Sequence, residues 1–200
     1  MATLLQVNSS IFSSAGYSSQ LADDFVAKWQ VKSPDAQIKV RDVANEPLPH
    51  LDAQGVSAFF TPRDARTPEQ QTYVAASDAL IDEIKQADII VFGLPMYNFG
   101  IPSTLKAYFD QIARAGVTFR YTENGPEGLL SGKKVYVFAT RGGMYTGTDL
   151  DSQIHYVRDF LKFLGMSDIE FIYAEGLNMG EETKQTALFF AKEKLAELAA

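Results

Sequence analysis

The sequence has no cysteine among its 200 residues. This absence excludes disulfides, thiolate zinc sites, iron–sulfur clusters and catalytic thiols, and it gives no support to secretion. A chain of this length nevertheless buries a substantial core without such crosslinks. We therefore expect one domain, residues 1–200, stabilised by apolar packing and without a bound metal.

Basic residues are also scarce, because 18 Lys and Arg residues stand against 25 Asp and Glu residues and the formal net charge is −7. Nucleic-acid binding requires clustered basic side chains, and here they are scattered. Nucleic acid is therefore not an expected partner. A small phosphate ligand would have to be held by local groups such as backbone N–H donors and a helix dipole.

Long hydrophobic runs are missing as well. No run approaches the roughly 18 residues that a membrane-spanning helix needs. The N-terminal segment Met1–Asn8 has no basic residue and only a short apolar stretch, unlike a signal peptide. We expect no membrane association and a cytoplasmic location.

What the sequence does contain is a repeat of short apolar segments separated by stretches of helical periodicity, which is the pattern of βα units. The Ile89–Phe92 and Val135–Phe138 runs are apolar on both faces, as central parallel strands are, whereas Ile38 and Val40 alternate with polar residues as in an edge strand. The pattern predicts a flavodoxin-like, doubly wound α/β fold with strand order 2-1-3-4-5 and helices on both faces. The five predicted strands are Thr3–Val7, Gln37–Arg41, Asp88–Leu94, Lys134–Ala139 and Ile169–Tyr173.

Five helices are predicted between and after these strands. The first begins at about Ser18 and turns Trp29 inward, and the second begins with a capping box at Thr67. Two insertions interrupt the repeat, Ala44–Arg66 and Val117–Gly132; the latter is predicted to form a hairpin with a turn at Asn124–Pro126. The other three helices are predicted from apolar residues that share one face and from their end signals. The third follows Pro102 with Leu105, Tyr108, Phe109 and Ile112, the fourth ends at Gly165 with Ile154, Val157, Leu161 and Leu164, and the fifth spans Glu181–Ala199.

In open parallel sheets the ligand lies at the carboxyl ends of the strands, near the point where strand order reverses. This rule selects the loops Asn8–Ser19, Pro95–Pro102 and Thr140–Thr146. The first loop places six serines and Gly16 before a helix N-terminus, which suits a phosphate. The alternative is a polar loop in which Ser18 simply caps the helix.

The other two loops have different characters. Residues 96–99 are unusually bulky for a loop, which indicates either an apolar wall for a flat ring or packing against a helix or a second subunit. Gly142 and Gly143 let backbone N–H groups approach a ligand closely, or they form a simple turn. The dinucleotide pattern G-x-G-x-x-G and the P-loop pattern are both absent.

Taken in order, these segments resemble the FMN-dependent NADH:azoreductases, a family also described as NAD(P)H quinone reductases of flavodoxin-like fold. The resemblance covers essentially the whole chain. It implies FMN as cofactor, NADH or NADPH as donor with NADH expected, and two-electron, ping-pong reduction of quinones and azo compounds. The segments that carry it are Met96–Phe99, Ala113–Thr122, Asn124–Leu129 and Thr140–Gly143.

The resemblance also implies roles for single residues. Asn98 would present its backbone N–H near flavin N5, Gly142 and Gly143 would face N1 and O2, and Tyr121 would orient the acceptor. Relatives commonly carry serine where this chain has Gly16. The implied FMN-binding residues are Ser10, Gly16, Tyr17 and Ser18 for the phosphate, Pro95, Met96, Tyr97, Asn98 and Phe99 for the ribityl chain and ring, and Thr140, Arg141, Gly142 and Gly143 for the pyrimidine side.

Family members form homodimers with flavin sites at the subunit interface, which would make Phe119–Tyr121 and the pair Phe59 and Phe60 interface or lid elements. Two other classes stay open from the residues alone: a one-electron carrier of flavodoxin type without its own substrate pocket, and a binding module that holds no flavin. The aromatic hairpin and the long insertion favour an enzyme, because a carrier needs an exposed flavin edge instead of a roofed cavity.

Overall fold

The computed structural model describes residues 2–199, so Met1 and Ala200 of the predicted domain lie outside the described residues. The described chain contains strands β1 Thr3–Asn8, β2 Gln37–Asp42, β3 Ile89–Pro95, β4 Phe119–Thr122, β5 Gly125–Gly128, β6 Lys134–Thr140 and β7 Asp168–Ala174. Its helices are α1 Tyr17–Lys32, α2 Ala53–Phe60, α3 Pro68–Gln86, α4 Ser103–Ile112, α5 Ser152–Phe163 and α6 Glu181–Leu198.

Five parallel strands form the main sheet in the order β2-β1-β3-β6-β7. Because β4 and β5 form a separate hairpin, β6 and β7 are the fourth and fifth strands of the main sheet. The order therefore confirms the predicted 2-1-3-4-5 arrangement. Strand β2, none of whose residues is fully buried, occupies the predicted edge. The strand order reverses beside β1 and β3, so the loops that follow these strands diverge and leave a crevice at their carboxyl ends.

Each face of the sheet carries its own hydrophobic core. Because successive side chains of a strand point to opposite faces, Leu4 and Leu5 of β1 belong to different clusters. Leu5 lies with apolar residues of α3, α4 and α5, and Leu4 lies with those of α1 and α6. The prediction of helices on both faces is thereby confirmed.

Helix α1 begins one residue earlier than predicted. Its N-cap is Gly16, and no side chain caps it, so the interpretation of Ser18 as a simple N-cap is wrong. Ser18 lies inside the first turn and is fully buried. Trp29 packs at the margin of the core and is partly buried.

The insertion at 44–66 contains helix α2, which sequence reasoning did not predict. Eight residues are too few to show helical periodicity. The Asp52 side chain caps α2 by accepting from the Gly55 N–H at 2.8 Å. A Cβ at Gly55 would lie 2.3 Å from the Tyr73 hydroxyl, so the glycine allows α2 to pack closely on α3.

The predicted hairpin is present as β4 and β5, but its two-residue loop is Glu123–Asn124, one residue earlier than expected. A Cβ at Gly128 would lie 2.0 Å from the backbone nitrogen of Gly165. The hairpin backbone therefore lies against the end of α5, near the amino end of β7 and away from the carboxyl ends of the strands.

Candidate active site

Two adjoining cavities of about 240 and 390 Å³ lie at the carboxyl ends of β1, β3 and β6. They share Met96, Gly142 and Asn178 and form one continuous depression, here called the cleft. The part beside the start of α1, called the helix end, is further lined by Ser10, Phe12, Ala15, Gly16, Tyr17, Pro95, Tyr97, Thr140, Arg141 and Leu177. The other part, called the loop end, is further lined by Asn98, Phe99, Gly143 and Tyr145.

The helix end is built on a close contact between Ser10 and Gly16. A Cβ at Gly16 would lie 2.1 Å from Ser10 Oγ, so glycine lets the serine lie directly against the start of α1. Ser10 Oγ accepts from the Phe12 N–H at 3.2 Å and lies 3.3 Å from the Tyr97 hydroxyl. The serine thus joins the loop after β1 to the loop after β3.

The first turn of α1 offers hydrogen-bond donors that the described residues leave unused. No side chain caps the helix, and the buried hydroxyls of Ser18 and Ser19 have no partner within residues 2–199. An uncapped helix N-terminus has free N–H groups and about half an elementary positive charge. Such a terminus suits a phosphate monoester without any lysine or arginine.

The loop end contains a strained turn. The backbones of Tyr97 and Gly100 exchange hydrogen bonds at 3.1 and 3.0 Å around Asn98 and Phe99, whose φ angles are +50° and +64°. This is the form of a type I′ turn, which normally takes Asn and Gly. A bulky residue in left-handed geometry costs about 1–2 kcal/mol, and such strain concentrates at functional sites.

The strain at Phe99 gives a direct prediction. Phe99→Gly and Phe99→Ala both delete the ring, but only glycine adopts the positive φ without cost, so the flavin-free Phe99→Gly protein should be the more stable by about 1 kcal/mol. Urea unfolding of the two variants measures this difference. Equal stabilities would contradict the assignment of strain to this turn.

Backbone donors also face the cleft from the loop after β6. The carbonyl groups of Gly142 and Gly143 accept from the N–H groups of Asn178 and Gly176, at 3.0 and 2.9 Å. Their own N–H groups, like that of Asn98, have no partner within residues 2–199. The loop after β3 thus offers one unpaired N–H donor and the loop after β6 offers two, and all three are available to the edge of a flat ligand.

Arg141 belongs to the lining of the cleft, but its charged side chain is paired with carboxylates of the protein. Its fully buried guanidinium contacts Asp151 at 2.7 Å and Glu175 at 2.9 Å. Glu175 also accepts from the N–H groups of Tyr145 and Thr146 at 2.8 and 3.0 Å. Burial raises the pKa of Glu175, but these bonds and Arg141 together outweigh it and leave that pKa below its ordinary value. The side chain of Arg141 therefore ties loops together instead of reaching a ligand.

The FMN-binding residues that the sequence analysis named line the cleft, except for Ser18. Ser18 is fully buried and is not part of the lining. Tyr121 lies on the hairpin, 75% exposed, and does not line the cleft of its own chain. His50 and His155 are exposed and lie outside the lining as well. Phe12, Ala15 and Tyr145 also line the cleft and lie in loops that the sequence selected, although they were not named as binding residues. Leu177 and Asn178 lie outside those loops and were missed.

The pair Leu177 and Asn178 could have been found from the sequence, since it follows the fifth strand and so lies at the same edge of the sheet.

Neither a metal-binding cluster nor a membrane-spanning helix is found within residues 2–199. No group of three or more His, Asp or Glu side chains there could hold a metal ion, and no helix there combines the length and apolar character needed to cross a membrane.

Residues 2–198 match the protein family described as flavodoxin-like fold, and the chain belongs to that family. It is 58% identical to the FMN-dependent NADH:quinone oxidoreductase of Cellvibrio japonicus (strain Ueda107), over 98% of both proteins.

Solved structures agree. An azoreductase from Bacillus anthracis (strain Sterne) superposes with a TM-score of 0.91 at 28% identity, covering 100% of this chain and 99% of that one. An FMN-dependent NADH-azoreductase from Bacillus anthracis (strain Ames Ancestor) in complex with FMN gives 0.88 at 28% identity, covering 100% of both. The resemblance expected from the sequence is confirmed.

Proposed function

We propose that the chain is an FMN-dependent oxidoreductase that uses NADH to reduce quinones and azo compounds. The observation that carries this function is the convergence, in one cleft, of an uncapped helix N-terminus and of unpaired N–H donors from two loops. The names of the relatives supply the cofactor, the donor and the substrate classes. The proposal treats residues 1–200 as one catalytic domain that works in the cytoplasm.

The residues of the cleft fit FMN. The first turn of α1, with Ser10 and Gly16, would hold the phosphate, because free N–H groups there need an anionic acceptor. The loop end, with Phe99 and Tyr145, would hold the ring, because their rings lie 5.6 Å apart edge to face and form an apolar wall. Once bound, FMN supplies the hydride and electron chemistry.

The protein's part in the reaction is orientation and electrostatics. The N–H groups of Gly142 and Gly143 would stabilise negative charge on the ligand edge that they meet, as fixed dipoles that need no reorganisation. The Asn98 N–H would donate from the opposite wall. No Asp, Glu, His or Lys lines the cleft within residues 2–199, so water supplies the protons that azo reduction consumes.

The same lining favours NADH over NADPH. The lining contains one basic residue, Arg141, and its guanidinium is buried between two carboxylates, so a 2′-phosphate meets no free cation among the described cleft residues. NADPH therefore gains no charged hydrogen bond from this lining, and its additional phosphate brings negative charge to a protein whose net charge is already −7, so kcat/KM should be higher for NADH.

Initial rates with a benzoquinone test both parts of this mechanism. If the oxidised nicotinamide leaves before the quinone enters the same space, double-reciprocal plots of rate against quinone concentration at several NADH concentrations should be parallel. The kcat/KM should be higher for NADH than for NADPH. Intersecting lines would contradict the two-stage mechanism, and equal use of NADPH would contradict the argument from charge.

We propose a homodimer as the working form. Of the four aromatics considered for the interface, Phe119 is buried and Phe59 contacts Tyr73, with ring centres 5.5 Å apart. Phe60 and Tyr121, 74% and 75% exposed, are left to contact a partner. Tyr121 would then orient an acceptor in the partner's cleft. Sedimentation equilibrium should give the mass of two chains, and a one-chain mass would contradict this assembly.

A further inference from the structure

The N-terminus of α5 contacts both loops that form the loop end of the cleft. Asp151, Ser152 and Gln153 follow one another in sequence, and each bonds to a different part of the site. We propose that Gln153 and Ser152 are positioning residues that hold the Tyr97–Gly100 turn, and with it the Asn98 N–H, at the distance from the 140–146 loop that flavin chemistry requires. This inference rests on the proposed function.

Gln153 makes two of these contacts. Its side-chain amide is buried and donates from one nitrogen to the carbonyl groups of Pro95 at 2.8 Å and Gly100 at 3.1 Å. Pro95 ends β3 and Gly100 closes the strained turn, so one nitrogen joins the two ends of the segment. Because the turn is strained at Phe99, it persists only where its surroundings hold it.

Ser152 secures the middle of the same segment, since its hydroxyl donates to the Phe99 carbonyl at 2.6 Å. Phe99 is the residue with the largest positive φ among the non-glycine residues described. Its carbonyl orientation is therefore fixed from α5 and not by the turn alone.

Asp151 holds the loop after β6, on the other side of the cleft, through Arg141. Its carboxylate accepts from Arg141 at 2.7 Å, and Arg141 directly precedes the two glycines whose N–H groups face the cleft. The same carboxylate caps α5 by accepting from the Ile154 N–H. One rigid helix start thus sets the separation of the two walls, and a shift of about 1 Å between such groups can cost up to a hundredfold in rate.

Gln153→Met tests the inference, because methionine has nearly the same length and no hydrogen-bond donor. Gln111→Met is the matched control. Gln111 is also buried and its side-chain nitrogen also joins two elements, donating to the Pro49 carbonyl at 3.2 Å and the Tyr73 hydroxyl at 2.7 Å, outside the cleft.

Three measurements separate positioning from simple loss of stability. In flavin-free protein, hydrogen exchange of the Gly100 amide, which bonds to the Tyr97 carbonyl, should be faster in Gln153→Met than in Gln111→Met. With FMN bound, the flavin midpoint potential should shift only in Gln153→Met. The kcat with NADH should fall by roughly ten- to a hundredfold there while KM stays nearly constant.

Equal exchange rates, potentials and kcat values in the two variants would overturn the inference. So would a Gln153→Met protein whose only change is a lower melting temperature. If the unaltered protein fails to bind FMN or to oxidise NADH, the proposed function is at fault. The exchange result for the turn is still interpretable in that case, because it needs no flavin.

Discussion

Gly16→Asp is expected to raise the dissociation constant for FMN at least a hundredfold relative to Gly16→Ser, while the flavin-free aspartate variant is no less stable than the serine variant. The aspartate would stand at the N-cap of α1, where no side chain caps the helix. An aspartate in that position accepts from first-turn N–H groups and stabilises a helix by about 0.5–2 kcal/mol. It would therefore occupy the donors that the phosphate needs.

The size of the effect follows from charge. A hundredfold loss corresponds to about 2.8 kcal/mol, and close approach of like charges in a binding site costs several kcal/mol. Fluorescence titration of FMN measures the affinity, and thermal unfolding of flavin-free protein measures the stability. Relative to Gly16→Ser, the aspartate variant should lose FMN affinity without losing stability, which a general disruption of the fold cannot produce.

Gly16→Ser is the matched control. Serine adds the same Cβ, which would lie 2.1 Å from Ser10 Oγ and 2.6 Å from Ser10 Cβ, so both variants must shift the Ser10–Gly16 contact in the same way. Serine adds no charge, so its FMN affinity should be at least a hundredfold higher than that of Gly16→Asp. Similar affinities for the serine and aspartate variants would show that the phosphate does not lie at α1.

The second large effect is expected at Arg141. Replacing it with methionine leaves Asp151 and Glu175 without their shared cation in a buried setting. Removal of one partner from a buried ion pair costs about 3–5 kcal/mol, because a charge stays buried and uncompensated. Urea unfolding at neutral pH should show a loss of this size.

A variant that combines Arg141→Met with Asp151→Asn and Glu175→Gln should recover part of the loss, because the uncompensated charges are gone. The pH dependence gives a second check. In the unaltered protein the lowered pKa of Glu175 contributes stability at neutral pH that is lost as the pH falls through that pKa. In Arg141→Met that carboxylate loses one of the contacts that lower its pKa, so less stability is lost on acidification.

The difference in unfolding free energy between the unaltered protein and Arg141→Met should therefore shrink from pH 8 to pH 5. A loss below about 1 kcal/mol at neutral pH, or a difference that grows on acidification, would contradict the assigned role of the buried network.

The sheet could be predicted from the sequence because its signals are local. Apolar runs mark the central strands, the alternation at Ile38 and Val40 marks the edge, and the carboxyl-end rule then selects the loops. Helix α2 was missed because eight residues within a polar insertion show no clear period. The aromatic pair at its end, Phe59 and Phe60, is split by the fold into one packed and one exposed ring.

The sequence did not show in which direction side chains of the cleft loops point. Arg141 lies in a loop that lines the cleft, yet its guanidinium turns away, because it pairs with Asp151 and Glu175, which lie 10 and 34 residues later in the chain. Gln153 likewise gives no sequence signal, since its two acceptors lie 53 and 58 residues earlier in the chain. Such contacts depend on how loops meet in space and not on any pattern along the chain.

Anaerobic titration of the FMN-loaded protein tests the central claim most directly. One equivalent of NADH should bleach the flavin absorbance without the spectrum of a one-electron-reduced flavin, and one equivalent of a benzoquinone should restore it fully. A flavin spectrum unchanged by NADH, or a persistent one-electron-reduced form, would contradict the account and favour an electron carrier.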